Sequence, residues 1–302
     1  MTVLPVDRTP PAAHTRILEG CAVARAITRA NARNFYYGLR LTPEPKRSAI
    51  YAIYAWMREA DDIVDSRRPD APATLAAFAA RTRAMLDGDL MEDGYWPALA
   101  WAVRTFPIRE RWLADLLNGV AGDLRAPRMQ SWAEVLWYCD CVGSTAGLCS
   151  VAIWGLREPD AAGEAESLIT ARGRAFQLIN ILRDVRTDWA DFRRIYLPQE
   201  LLAAHGLEIG SLLAWSDAAA CTAVIADVAA RARSLLVQAA PLDRLIHRDG
   251  AAAMSVMTRI YTGILDRIER HPHRAVAPER VRVPTAAKLA IVGDAVVRSW
   301  LR

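Results

Sequence analysis

The sequence predicts an all-α chain folded as one helical bundle, and three observations carry that reading. Alanine, leucine and arginine dominate, apolar residues recur every three or four positions, and no strictly alternating run is bounded on both sides by turn residues. Proline then punctuates the chain at Pro43, Pro45, Pro69, Pro72, Pro97, Pro107, Pro127, Pro159, Pro198, Pro241, Pro272, Pro278 and Pro284, leaving stretches of helical length between many of them. Roughly ten or more helices are expected. No linker, low-complexity tract or fixed-period repeat divides the 302 residues, so 15–302 reads as one domain behind a flexible N-terminal segment, 1–14.

Composition narrows the function classes. A hydrophobic content of 53% supports a substantial core and argues against disorder. The net charge of +4 comes from arginines scattered through helical segments rather than gathered into a stripe or tail. Nucleic acid is therefore excluded as the expected partner, whereas small anions fit. Five cysteines (Cys21, Cys139, Cys141, Cys149, Cys221) lack paired CxxC spacing and read as reduced, buried residues. The opening MTVLPVDRTPPAAHTR has no apolar signal-like core, and no stretch holds about 18 consecutive apolar residues. A cytoplasmic protein is expected, with any membrane contact peripheral.

Residues 46–65, KRSAIYAIYAWMREADDIVD, form the first helix with chemical content. It follows a proline-rich turn and sets Ile50, Ile53, Tyr54 and Met57 along an apolar side. Asp61 and Asp65 stand at i and i+4 on nearly one face, with Arg58 and then Tyr54 behind them on the same stripe. Two like charges so placed repel by only about 0.2–0.5 kcal/mol in water. Where the surroundings exclude solvent the repulsion grows, and an inward-facing pair then calls for a cation. The bland alternative is an exposed acidic face.

Residues 171–188, ARGRAFQLINILRDVRTD, repeat the pattern. Gln177, Asn180, Asp184 and Asp188 follow at spacings of three, four and four, placing three oxygen-bearing groups of a hard-cation site on one face. Leu178, Ile179, Ile181 and Leu182 surround the stripe and would bury it, so its polar groups need partners. Arg183 offers a planar fork for carboxylate or phosphate oxygens. The alternative here is a salt-bridge network between helices.

Two such faces across a cavity suit diphosphate chemistry. Magnesium takes oxygen ligands and commonly joins carboxylates to substrate phosphates that bare carboxylates would repel. Ionisation of an allylic diphosphate builds negative charge on the leaving group, where cations and arginine stabilise the transition state. The carbocation left behind needs a dry, apolar pocket.

At this point the motifs FYYGLRLTP, AIYAWMREADDIVD, YCDCVGSTAGL, FQLINILRDVRTD and RRIYLPQE, in that order, resemble those of the squalene and phytoene synthases. The resemblance runs from about Cys21 to the C-terminal helix. It implies an isoprenoid-synthase helical bundle around a central hydrophobic cavity. It also implies magnesium dependence, with manganese as a substitute, and head-to-head condensation of two identical prenyl diphosphates, farnesyl or geranylgeranyl, through a cyclopropylcarbinyl diphosphate. Asp61, Asp65, Asn180, Asp184 and Asp188 match the metal ligands. Arg58, Arg183, Tyr54 and Phe35 match positions lining the diphosphate region, and Tyr261 and Arg280 are similar to a late tyrosine and arginine that reach it. Val142, Gly147 and Gln177 match positions around the hydrophobic channel, where ordinary helix packing is the other reading.

The chain departs from the pattern in two places. Where many relatives carry S-x-S-F, it has Ala32, Arg33, Asn34 and Phe35, and the stretch WADFRRI before YLP is slightly longer. NADPH use is left open, since this family need not bind it through a Gly-rich loop. The tryptophans read as core, and the final helix is expected to pack with Leu289, Val292, Val296 and Trp300 to one side. Competing functions are a terpene cyclase and an inactive fold relative serving as an assembly protein. The second has no reason to keep both carboxylate pairs.

Overall fold

A computed structural model describes residues 11–32 and 36–300, with the side chains of 13–32 and 36–298. Fifteen α-helices run through them in the order α1 (Pro11–Asn31), α2 (Tyr36–Leu39), α3 (Lys46–Asp65), α4 (Ala71–Leu86), α5 (Trp96–Thr105), α6 (Glu110–Asp123) and α7 (Trp132–Cys139). Then follow α8 (Thr145–Trp154), α9 (Ala162–Phe192), α10 (Gln199–Ala204), α11 (Ile209–Ala214), α12 (Ala218–Gln238), α13 (Leu242–Leu245), α14 (Arg248–Arg270) and α15 (Thr285–Trp300). Among the described residues there is no named strand; two isolated bridges, one of them Arg128 with Ile195, are the only β-type pairings.

Local chemistry explains where the helices begin and end. Proline occupies the first turn of α4 and α5, where a missing N–H costs nothing. Ser131 caps α7 by accepting from the Glu134 amide, while the Glu134 carboxylate accepts from Gln130 N at 2.7 Å. Asp217 accepts from the amides of Ala219 and Ala220, each at 3.0 Å, and so starts α12. Helix α9, 31 residues long, stops where Arg193 turns into the left-handed region at φ 58°.

The apolar core is split in two. One cluster gathers α1, α3 to α6 and α8 around Trp56, Leu99 and Trp154; the other gathers α7, α9, α12 and α14 around Leu178, Ile225 and Ile264. Val142 packs against both. Helices α7 and α8 join without a break through a π-helical turn, Asp140–Ser144, which carries Val142. The resulting run Trp132–Trp154 is long and apolar enough to cross a membrane by length and composition, but half of its most apolar window is buried in the bundle. It packs against α6 and α9 as a core helix.

Three expectations need adjustment. Helix α1 begins at Pro11, so residues 11–14, expected within the N-terminal segment, are helical. On α15, Leu289 is 55% exposed, because Ala295 is the buried residue and the inward face is rotated away from Leu289. Trp56 and Trp154 are core as expected, donating to Thr82 and Thr42 hydroxyls at 3.0 Å each, but Trp137 is exposed. All five cysteines are free, and four are buried.

Candidate active site

Glycine sets how closely the site helices approach. A Cβ on Gly173 of α9 would stand 2.4 Å from Ser144 Cα, and one on Gly143 would stand 2.7 Å from the Gly173 carbonyl oxygen and 2.9 Å from Gln177 Cβ. On the opposite side of the π-helical turn, a Cβ on Gly119 of α6 would stand 2.6 Å from Cys141 Cβ. The turn is thus wedged between α6 and α9 at backbone contact. Arg174 and Asp140 lock the crossing with two hydrogen bonds of 2.6 Å. The polar stripe of α9 continues immediately from this crossing.

On α3, Asp61 is open to solvent and Asp65 is half-buried. Even so, surrounding protein pushes the Asp61 carboxyl up to about 7, by burial first and by the Asp65 charge second. Arg58 pairs with Asp62 rather than with either of these aspartates, and its Nε is buried without a hydrogen-bond partner. Tyr54 is half-buried one turn behind it. A cleft of about 430 Å³ opens beside Arg58, lined also by Asn31, Glu59, Asp62 and Tyr95, on the side of α3 that carries Asp62.

On α9, Gln177, Asn180, Asp184 and Asp188 are all half-buried, as the stripe predicts. Asp184 is held by Arg183 through contacts of 3.0 and 2.5 Å and by Arg280, arriving from the segment before α15, at 3.0 Å. Asp188 lacks such a fork; burial, then the Asp184 charge, pushes its carboxyl up to about 8. Tyr261 of α14 is buried behind the stripe, stacked on Phe176 at 4.3 Å, and interacts with Arg183 and Asn180. Gln177 and Val142 lie where the helices cross. Gly147 does not face open space: a Cβ there would meet Ile169 of α9 at 3.0 Å, the geometry of helix packing. Phe35 lies outside the described residues.

The residues that join the two acidic helices were not singled out by the sequence. Arg194, buried just past α9, donates to Asp65 Oδ1 at 2.7 Å, to the Val64 carbonyl at 3.3 Å and to the Asp123 carbonyl at 3.2 Å. The Asp123 carboxylate, at the end of α6, accepts from Tyr196 at 2.6 Å and Tyr138 at 3.1 Å, whose rings stack at 4.6 Å. Its charge raises both Asp61 and Asp188, and the Arg194 charge lowers Asp188. Both carboxylate pairs therefore share one electrostatic neighbourhood. RRIYLPQE was visible as a motif, but nothing local assigned Arg194 or Tyr196 a partner.

The donor set fits a hard divalent cation. It is all oxygen, and Asn180 Oδ1 is buried without a hydrogen-bond partner, an acceptor in want of a donor or an ion. Among the described residues no three carboxylate, histidine or cysteine groups converge into a preassembled centre.

The family model described as squalene/phytoene synthase matches residues 28–287. The chain is 33% identical over 294 residues to a 15-cis-phytoene synthase of Synechocystis sp., covering 94% of this chain and 85% of the relative. It is likewise 33% identical to a phytoene synthase of Mycobacterium tuberculosis, covering 94% and 93%. Among solved structures, a dehydrosqualene synthase superposes with a TM-score of 0.83 at 23% identity, covering 96% of this chain and all of the other. A squalene synthase from Alicyclobacillus acidocaldarius superposes with a TM-score of 0.76 at 24% identity, covering 86% and 97%. These two share the fold.

Proposed function

This chain belongs to the squalene/phytoene synthase family, prenyltransferases that join two prenyl diphosphates head to head, and we propose that it does so with divalent cations at Asp61, Asp65, Asn180, Asp184 and Asp188. The observation that carries this reading is the shared neighbourhood of the two acidic stripes, one from α3 and one from α9, bridged by Arg194. Magnesium, or manganese in its place, would supply charge stabilisation for the departing diphosphate and join phosphate to carboxylate oxygens.

The chain's own residues do the rest. Arg183 and Arg280, which neutralise Asp184 here, have forks suited to phosphate oxygens and can turn to the substrate once the carboxylate is engaged elsewhere. Arg58, with an unsatisfied Nε, does the same from α3. Tyr54 and Tyr261 would border the reacting region, and Val142, which packs against both apolar clusters, and Gln177 would border the prenyl chain, whose carbocation needs apolar surroundings that keep water away. The relatives named phytoene synthase favour a phytoene-type product from geranylgeranyl diphosphate. Five free thiols fit a reducing cytoplasm, with membrane contact at most peripheral.

Incubation of the purified protein with farnesyl or geranylgeranyl diphosphate, with and without magnesium and NADPH, tests the proposal by product mass. Condensed product only with magnesium is expected, and Asp61→Asn and Asp184→Asn are expected to abolish it. A cyclised product from one diphosphate, or no condensed product from either substrate, would overturn it.

A further inference from the structure

Helix α15 turns its charges toward the protein and its apolar residues outward. Its buried residue is Ala295, with Ala287 and Ile291 half-buried on the same side. Asp294 accepts from Arg259 of α14 and, at 2.9 Å, from Arg298, while Lys288 is half-buried. On the other side Ala286, Leu289, Ala290, Gly293 and Val297 are exposed, Leu289 at 55% and Val297 at 59%. At about 100° per residue these five fall within an arc of about 100° that holds no charged residue. A helix on a water-facing surface does the reverse, so this face is built to be covered. Nothing among the described residues covers it.

The charge around the face identifies the cover. Arg282 is exposed three residues before the helix, Lys288 lies at the edge of the apolar arc and Arg298 stands in the last turn. Asp294, the one carboxylate on α15, is already paired with two arginines. Such a border suits anionic lipid headgroups. A second copy fits poorly, because an isologous contact would set the same cations against themselves. With 16 residues α15 is also shorter than the roughly 20 that cross a bilayer, so it can lie on a membrane but not span one. We propose that α15 docks the protein on an anionic lipid bilayer, with Leu289 and Val297 entering the apolar layer and Arg282, Lys288 and Arg298 at the headgroups. Arg280, which pairs with Asp184, lies five residues before the helix, so docking sets the acidic site beside the lipid surface. The proposed reaction gives that placement a use, since a prenyl tail and a hydrocarbon product both partition into a bilayer.

Flotation of the purified full chain with vesicles of phosphatidylcholine, alone or mixed with phosphatidylglycerol, tests the proposal. Wild type is expected to bind the mixed vesicles, to bind pure phosphatidylcholine at least about 10-fold more weakly, and to dissociate as salt is raised. The double variant Leu289→Ser/Val297→Ser should lose at least about 10-fold in partition coefficient, and Arg282→Gln about 5-fold. Leu90→Ser removes a leucine that is 72% exposed in the loop between α4 and α5, and as the control it should bind like wild type. All four side chains are exposed, so thermal melts should not move. Wild-type binding by the folded double variant, an equal loss in Leu90→Ser, or no binding of wild type to the mixed vesicles would overturn the proposal. So would a wild-type dimer in sedimentation velocity that the double variant dissociates, which would assign the face to a second copy. None of these readouts uses turnover, so membrane docking and the proposed reaction can fail separately.

Discussion

Replacing Gly173 with alanine probes the contact on which the site geometry depends. The new Cβ would lie 2.4 Å from Ser144 Cα and 2.7 Å from Ser144 N, so α9 and the π-helical turn must separate by about 1 Å to reach ordinary contact. The obstacle is backbone, which cannot rotate aside as a side chain can. Overpacking of this kind costs roughly 1–3 kcal/mol, and alanine returns about 1 kcal/mol through its higher helix propensity. Taking the upper end of the clash, a net loss of about 2 kcal/mol is expected. Gly163, near the start of the same helix, has nothing within 4 Å of its Cβ position and is the matched control. Gly163→Ala should be neutral or stabilising by less than about 1 kcal/mol. Urea unfolding at constant slope reads both. Because Gln177 and Asn180 lie one and two turns beyond the crossing, a shift near 1 Å should also lower turnover about 100-fold where the variant is folded. A Gly173→Ala protein with the wild-type midpoint and wild-type turnover would refute the close-crossing account.

The raised carboxyls give a pH dependence of definite sign. Asp61 near 7 and Asp188 near 8 hold protons more tightly folded than at their ordinary value of 3.8 unfolded, so the metal-free protein should lose stability as pH rises from about 4 to 8. Magnesium should restore stability more at pH 8 than at pH 6, as read by thermal melts; a metal-free protein that gains stability across that window would contradict the assignment. Arg172, buried between α9 and α14, donates to the Ala239 carbonyl at 2.7 Å and pairs with Asp243 at 3.1 Å. Since Asp243 stays half in solvent, Arg172→Leu should cost the unsatisfied carbonyl, about 1–3 kcal/mol, rather than a stranded buried charge, and a larger loss in urea unfolding would show that Asp243 depends on it. Arg280→Ala removes one of two arginines on Asp184 and should weaken magnesium-dependent pyrophosphate binding while leaving the unfolding free energy read in urea within about 0.5 kcal/mol of wild type, because the residue is exposed.

The chemistry-bearing stripes were legible in the sequence because helix geometry is local. Asp61 with Asp65, and Gln177, Asn180, Asp184 and Asp188, follow the 3.6-residue period, and α3 and α9 present them as that period requires. A glycine between helices looks the same in a sequence whether it faces a ligand or a neighbour, and for Gly147 only the position of Ile169 separates the two. A helix with several apolar sides does not declare which one meets α14, so the period alone does not mark Leu289 as outward.

Composition, proline spacing and two carboxylate periodicities are enough to fix an all-helical bundle and the residues that share one face of α3 and of α9, since each depends on residues within a few turns of one another. Tertiary structure alone decided that Asp123, Tyr138, Arg194 and Tyr196 meet, and that they do so against Asp65. Their hydrogen bonds join positions 15 to 130 residues apart, and no periodicity reports a contact whose two ends lie on different helices.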